Sequence, residues 1–205
     1  MSVSESASER RAVYCALVHH PVRDRDGHPL TSAITNVDVH DIARSARTFG
    51  LAGYYVVSPI SAQRLVVDRI LEHWRSGAGA KRVPERSEAL ARCHPIASIE
   101  EASGEIERRH GAAPEWVVTE ARPVGRTIVS YDAARAYLAE PGRPALVLFG
   151  TAHGLHSSVI ERAELVIEPI RGVDSYNHLS VRAAAAITFD RLFSPAHATG
   201  PTDNA

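Results

Sequence analysis

An apolar run that breaks at two closely spaced glycines constrains this chain more than any other feature. Leu146-Val-Leu-Phe-Gly-Thr-Ala-His-Gly-Leu155 is followed by Leu165-Val-Ile-Glu-Pro-Ile170 and then by Ser175-Tyr-Asn-His-Leu-Ser-Val181. These segments read as two strand ends and one helix start. Gly150 and Gly154 leave room for a ligand where a Cβ would stand, and Pro169 cannot continue a β-ladder. Three irregular backbone segments therefore converge near the C-terminus. Such a place can hold a small polar molecule by main-chain N–H and C=O groups, with apolar strand ends supplying contact area.

The rest of the chain repeats the same grammar. Strand-like runs at Ala12–Val18, Tyr54–Val57, Trp116–Thr119, Ala145–Phe149 and Leu165–Ile167, with Cys93–Ala97 a weaker one, alternate with helix-like stretches. That order predicts an α/β fold with a mainly parallel sheet and helices on both faces. Asp38 is placed to cap a helix whose Val39, Ile42, Ala43, Ala46 and Phe49 share one face, with Gly50 as its stop. Further helices are expected at Ala62–Trp74, Ile99–His110, Tyr131–Glu140 and Leu179–Phe193. In the last, Val181, Ala184, Ala185, Thr188, Phe189 and Leu192 form a stripe, while Ala183, Ala186 and Ile187 lie off it. A helix apolar on more than one side is covered by a partner subunit or by more core. The Arg75–Arg86 segment, with two glycines, a proline and four basic side chains, reads as a mobile surface connection.

With 205 residues, 44% hydrophobic and 23% charged, the chain has material for one core. A single domain is expected over residues 11–193, with disordered tails at 1–10 and 194–205. The first ten residues lack the apolar stretch of a secretory signal and no run is long enough to span a bilayer, so a cytoplasmic location is expected. Cys15 and Cys93 sit beside apolar segments without C-x-x-C spacing and read as buried thiols. A net charge of −1 excludes a protein that coats nucleic acid electrostatically, so any RNA contact must be local. Gly150-Thr-Ala-His-Gly154 has neither the Lys-Ser/Thr ending of a P-loop nor the spacing of a dinucleotide site. His19-His20 point their rings to different sides of an extended chain, His153-x-x-His156 lack an accompanying carboxylate motif, and no metal is expected. The aromatics are too scattered for a base-stacking platform.

Taken in order, His19-His-Pro-Val22, Thr35-Asn-Val-Asp-Val-His-Asp-Ile-Ala-Arg-Ser-Ala-Arg-Thr-Phe-Gly50, Val117-Val-Thr-Glu-Ala-Arg122, Leu148–Leu155 and Tyr176-Asn-His-Leu-Ser-Val-Arg182 resemble the SPOUT superfamily of S-adenosylmethionine-dependent RNA methyltransferases. The nearest branch is a bacterial one sometimes joined to tRNA guanine-N1 methyltransferases. The resemblance implies a C-terminal deep trefoil knot, S-adenosyl-L-methionine held in the knot, and a homodimer with the active site at its interface. Three loops would hold the cofactor. The first gives Thr119, Glu120 and Ala121; the second gives Phe149, Gly150, Thr151, Gly154 and Leu155. The third gives Ile167, Pro169, Ile170, Tyr176, Asn177, Leu179 and Ser180, where Asn177 and Ser180 would fix the start of the last helix.

The resemblance also carries catalysis to Arg44, in a motif similar to that of ribose-2′-O methyltransferases, although Asp38 stands where that motif places asparagine and Asn36 lies two residues earlier. By helical spacing His40, Arg44 and Arg47 share the polar face of one helix. Arginine is a poor proton acceptor, so Arg44 suits phosphate binding or charge stabilisation, and His40 is the better local base. Asn36, Arg47, Arg122 and Arg126 are the expected RNA contacts, with Arg23 and Arg25 as phosphate candidates. The function expected is methylation of RNA, with tRNA the leading substrate and a ribose 2′-O the leading acceptor. Its rivals are methylation of a base nitrogen, assisted by Asp38, Asp41 or Asp174, and a non-catalytic cofactor-binding module that binds RNA.

Overall fold

The computed structural model describes residues 10–76, 78–119, 127–174 and 176–197. In chain order its elements are β1 (Val13–Val18), β2 (Val22–Arg23), β3 (Pro29–Leu30), α1 (Asn36–Thr48), β4 (Gly53–Val57), α2 (Ser61–Arg75), α3 (Ala78–Arg82), α4 (Pro84–Leu90), β5 (Cys93–Ile96), α5 (Ile99–His110), β6 (Glu115–Thr119), α6 (Tyr131–Ala139), β7 (Ala145–Gly150), α7 (Ser157–Ile160), β8 (Leu165–Ile167) and α8 (Val181–Phe193). Every run expected as a strand forms one. Six strands make one parallel sheet in the order β5-β4-β1-β7-β6-β8.

A parallel sheet is covered on both faces, which is why its central strands are apolar at every position. Cys15, Ala16, Leu17 and Val18 are all fully buried. The two-residue period then sorts side chains between two cores. Cys15, Leu17, Val147 and Phe149 pack with α1, α2, α6 and α8, whereas Tyr14, Ala16, Val18, Leu146 and Leu148 pack with α5 and α7. The cysteines are buried free thiols, and burial pushes the Cys15 pKa up. From β1 the chain builds outward through β4 to β5, then returns to build β7, β6 and β8 on the other side. The carboxyl ends of β1 and β7 thus meet at a switch point, where open α/β sheets form their ligand crevice.

Three local readings change. Thr35, rather than Asp38, is the N-cap of α1: its hydroxyl accepts from the Asp38 backbone N–H at 3.3 Å. That leaves the Asp38 carboxylate free to accept the same hydroxyl's hydrogen at 2.6 Å. The expected mobile connection after Arg75 contains α3 and α4, with Pro84 at the start of α4, where its missing N–H costs nothing. The segment between β1 and α1 holds an unexpected hairpin of β2 and β3, turned by Asp24, whose carboxylate accepts from the N–H groups of Asp26 and His28.

At the C-terminus, Ser180 caps α8 as expected by accepting from the Ala183 N–H, and Pro195–His197 forms a 3₁₀ turn whose His197 carbonyl accepts from Arg135 at 2.8 Å. The start of the expected disordered tail is therefore structured. Residues 1–9 and 198–205 lie outside the described residues. No helix among the described residues is long and apolar enough to cross a membrane.

Candidate functional site

At the carboxyl ends of β6 and β7, beside the end of β1, lies a cavity of about 730 Å³. Four segments wall it. Thr119, Phe149 and Gly150 come from strand ends, and Thr151 to Gly154 from the loop after β7. Glu168, Pro169 and Ile170 follow β8, and Asn177 to Arg182 lead into α8. The hairpin tip from Arg23 to Gly27, with Ser32 and Asp38, closes the remaining side.

The loop after β7 is shaped by its own backbone. A Cβ on Gly150 would fall 2.7 Å from the carbonyl carbon of Gly154, so the missing side chain makes room for the loop folding back rather than for a ligand directly. Gly154 (φ 103°) and Ala152 (φ 52°) both take left-handed conformations to close the turn. The hairpin is pinned to this loop. Arg23 N–H donates to the Gly154 carbonyl at 3.0 Å, and Arg23 Nε to the His153 carbonyl at 2.8 Å. Val22 also bridges to Leu155.

Beneath the loop runs a part-buried polar chain. Thr151 Oγ1 donates to the Val18 carbonyl at 3.1 Å and lies 2.5 Å from Ser32 Oγ, which lies 2.9 Å from His19 Nδ1. Because the carbonyl only accepts, Ser32 donates to Thr151 and His19 Nδ1–H donates to Ser32. His19 is fully buried with Nε2 unpartnered, and burial pushes its pKa down to about 4 against the opposing charge of Asp38. Asp38, itself buried, accepts from Arg182 Nη1 at 3.2 Å, while Arg182 Nε lies 3.6 Å from Asp41.

A second opening, an exposed groove of about 430 Å³ between α1 and α8, is lined by Asp41, Arg44, Ser45, Thr48, Phe49, Ala183 and Ala186. Ser180 and Arg182 line both it and the cavity. Arg44 is exposed in this groove. His40 and Arg47 turn away from it. The His40 ring meets Trp74 edge-on at 5.6 Å, and its pKa is lowered first by burial and then by the Arg86 charge. Arg47 Nε binds Glu88 on α4 at 2.7 Å. The expectation of one face presenting all three side chains to a substrate therefore fails, because α2 and α4 cover the flank carrying two of them.

Of the residues expected to hold the cofactor, Thr119, Phe149, Gly150, Thr151, Gly154, Pro169, Ile170, Asn177, Leu179 and Ser180 line the cavity. Leu155 and Ile167 do not, being sealed in the two cores, and Tyr176 is 72% exposed outside it. Asn36 is an exposed first residue of α1, away from both openings. Glu120, Ala121, Arg122 and Arg126 lie outside the described residues. The hairpin, whose Asp-Gly turn is its signal in the sequence, joins the site unexpectedly, as do Ser32, Tyr131, Glu168 and Arg182. Among the described residues the grouping with metal-ligand geometry is Asp24, Asp26 and His28, and the Asp24 carboxylate already serves the hairpin turn.

Residues 12–194 match a family described as SAM-dependent RNA methyltransferase. The chain belongs to that family. A tRNA (guanine-N(1)-)-methyltransferase of Oleidesulfovibrio alaskensis is 46% identical over 186 residues, spanning 91% of this chain and 43% of that protein. An uncharacterized protein of Aquifex aeolicus is 40% identical over 182 residues, spanning 89% of this chain and 88% of that one. The chain thus spans less than half the length of the relatives named for guanine-N1 methylation. Among solved structures, TrmJ from Z. mobilis ZM4 matches with TM-score 0.53 at 16% identity over 93% of this chain and 71% of that one. The SpoU methyltransferase AviRb from Streptomyces viridochromogenes matches with TM-score 0.56 at 17% identity over 91% and 60%. These likenesses show a shared fold of parallel sheet and helices. The family's cofactor is S-adenosylmethionine, and a cavity of this size with mixed polar and apolar walls suits a nucleoside-sized ligand.

Proposed function

We propose that the chain methylates tRNA at a ribose 2′-oxygen, holding S-adenosylmethionine in the strand-end cavity and receiving RNA along the groove between α1 and α8. One observation carries this reading: the two openings meet at Ser180 and Arg182, so a molecule in the cavity and a polymer in the groove come together at one wall. The loop from Thr151 to Gly154 and the apolar sides of Pro169, Ile170 and Leu179 would wall the nucleoside. When bound, the cofactor supplies an electrophilic methyl group and leaves as a neutral thioether. The chain's own task is alignment and exclusion of water, which can lower a barrier by roughly 7–11 kcal/mol. Arg44, exposed in the groove, would orient a phosphate through its guanidinium fork and steady charge growing on the acceptor oxygen. His40 is not assigned a part, since its ring is committed to Trp74.

A homodimer and a knotted C-terminus complete the proposal. Ile187, half-buried on α8 and outside the groove lining, suits cover by a second copy. For the knot, the support is that the chain after β8 passes beside residues 129–131 before α8 returns to pack on α1 and α6. Glu168 N–H donates to the Val129 carbonyl, and Tyr131 N–H to the Glu168 carboxylate at 3.0 Å. The second reading, methylation of guanine N1, is favoured by the names of the longer relatives and by the carboxylates Asp38 and Asp41 beside Arg182. Transfer of radiolabelled methyl groups into tRNA from a strain lacking the gene tests both. Label in nucleotides that resist alkaline cleavage supports the ribose, label in N1-methylguanosine supports the base, and no label in any RNA removes the proposal.

A further inference from the structure

Arg182 is the side chain that the two openings share and the sequence reading did not single out. It reaches from the first turn of α8 to two carboxylates of α1, Asp38 at 3.2 Å and Asp41 at 3.6 Å. The two carboxylates are not equivalent. The Asp38 side chain is 10% exposed and lines the cavity, with its second oxygen held by the Thr35 hydroxyl at 2.6 Å; the Asp41 side chain is 44% exposed and lines the groove. Charged and titratable groups facing Asp38 are Arg182 from α8, Asp41 from its own helix, the His19 imidazole from the end of β1 and the Tyr54 phenol from β4.

A carboxylate held this way, with one oxygen fixed by a hydroxyl and the other by a guanidinium, is positioned and restrained at once. A buried charge that loses its partner is strongly disfavoured and gains affinity for a proton. Guanidinium binds phosphate through the same fork that it offers a carboxylate, so a polynucleotide lying in the groove competes directly for Arg182.

Resting on the methyltransferase reading above, we infer that Arg182 is a latch: an RNA phosphate entering the groove draws its guanidinium from Asp38, and Asp38 then accepts the proton of the acceptor group. In that step the acceptor's O–H (or N–H) bond breaks and an O–H bond forms on Asp38 Oδ1. The electron pair left on the acceptor forms the new bond to the methyl carbon, whose bond to sulfur breaks with its pair staying on sulfur. The carboxyl is neutral after transfer and gives its proton to water when product leaves. Arg182 is a positioning residue here, acting through Asp38.

The test compares wild type with Asp38→Asn, Arg182→Lys and Arg182→Ala, using unmodified tRNA transcripts. S-adenosylmethionine affinity is measured by calorimetry, and the Arg182 Nε–H resonance by NMR with S-adenosylhomocysteine bound. The latch predicts that Asp38→Asn slows methyl transfer by roughly 10²–10⁴-fold, the usual worth of a general base. Cofactor affinity should stay within about threefold, a change small against that loss. It also predicts that tRNA shifts the Arg182 resonance, and that Arg182→Lys, which keeps a charge without the fork, retains more activity than Arg182→Ala. Asp38→Asn turning over near the wild-type rate, or an Arg182 resonance unmoved when tRNA is bound, overturns it. Cofactor affinity falling in step with activity would make the pair a plain wall, which also overturns it. If wild type neither binds nor methylates tRNA, the methyltransferase reading falls and takes the latch with it, an outcome distinct from failure of the variants alone.

Discussion

The cavity and the groove sit side by side on α8 yet are built from different materials. The cavity is made of backbone: glycines, a proline and a left-handed alanine bend three loops around a space, and a part-buried hydrogen-bond chain fixes one of them from below. The groove is made of side chains on two regular helices, several of them charged and half-exposed. Changes in the first should disturb ligand binding and folding together. Changes in the second should leave both intact and reach only turnover.

The largest expected effect divides the two regions most cleanly. Arg44→Ala should cost roughly 10²–10³-fold in methyl transfer, the worth of one preorganised group aimed at developing charge. Calorimetry should find S-adenosylmethionine bound about as tightly as before. Arg44 lines the groove and not the cavity, so a variant that loses cofactor along with activity would erase the distinction between the two regions.

Next comes acid sensitivity centred on the cavity floor. His19 titrates near 6.5 when unfolded and about 4 when folded, so between these values the unfolded chain carries a proton that the folded one refuses. Stability should therefore fall as pH drops through that window, by on the order of 3 kcal/mol across its whole width. Urea melts of wild type and His19→Gln at pH 7 and pH 5 would check this. The variant, which can still donate to Ser32 but does not titrate, should show the shallower slope.

What the sequence revealed of each region follows from what builds it. The strands were legible because a parallel sheet buried on both faces demands unbroken apolar runs, as Cys15 to Val18 and Leu146 to Phe149 supply. The cavity was legible in outline because glycine and proline mark where backbone leaves regular structure. That the Leu155 and Ile167 side chains turn into the cores was not legible for a related reason: position in a loop or strand end does not tell whether a side chain turns toward the space or into the core. The groove was less legible. His40, Arg44 and Arg47 share a helical face by spacing, but Trp74 and Glu88, which claim two of them, belong to helices whose packing no local pattern announces. The Asp38–Arg182 pair joins residues 144 positions apart, so neither partner's neighbourhood points to the other.

Gly150→Ala should have a smaller effect than acidification, and it should strike folding and binding together. The added methyl lands on the Gly154–Leu155 backbone, which must shift, at a cost of about 1–3 kcal/mol for overpacking. Differential scanning calorimetry and cofactor titration on one sample would show whether the two losses travel together. A variant that melts early yet binds normally would mean that the loop is held by its neighbours instead of by its own turn.

Ala152→Gly is the smallest change and the only one expected to help. Ala152 holds φ 52° with a Cβ that clashes in this left-handed region by about 1–2 kcal/mol, while glycine adopts it freely but loses more entropy on folding, roughly 0.5–1 kcal/mol. The balance favours the variant by a few tenths to about 1 kcal/mol, visible as a small rise in melting temperature. Cofactor affinity should hold or improve, because Ala152 lines the cavity and its methyl is lost without moving the loop. A fall in affinity with unchanged stability would show that the alanine methyl is itself a wall of the site, and that in this one place the cavity, like the groove, depends on a side chain.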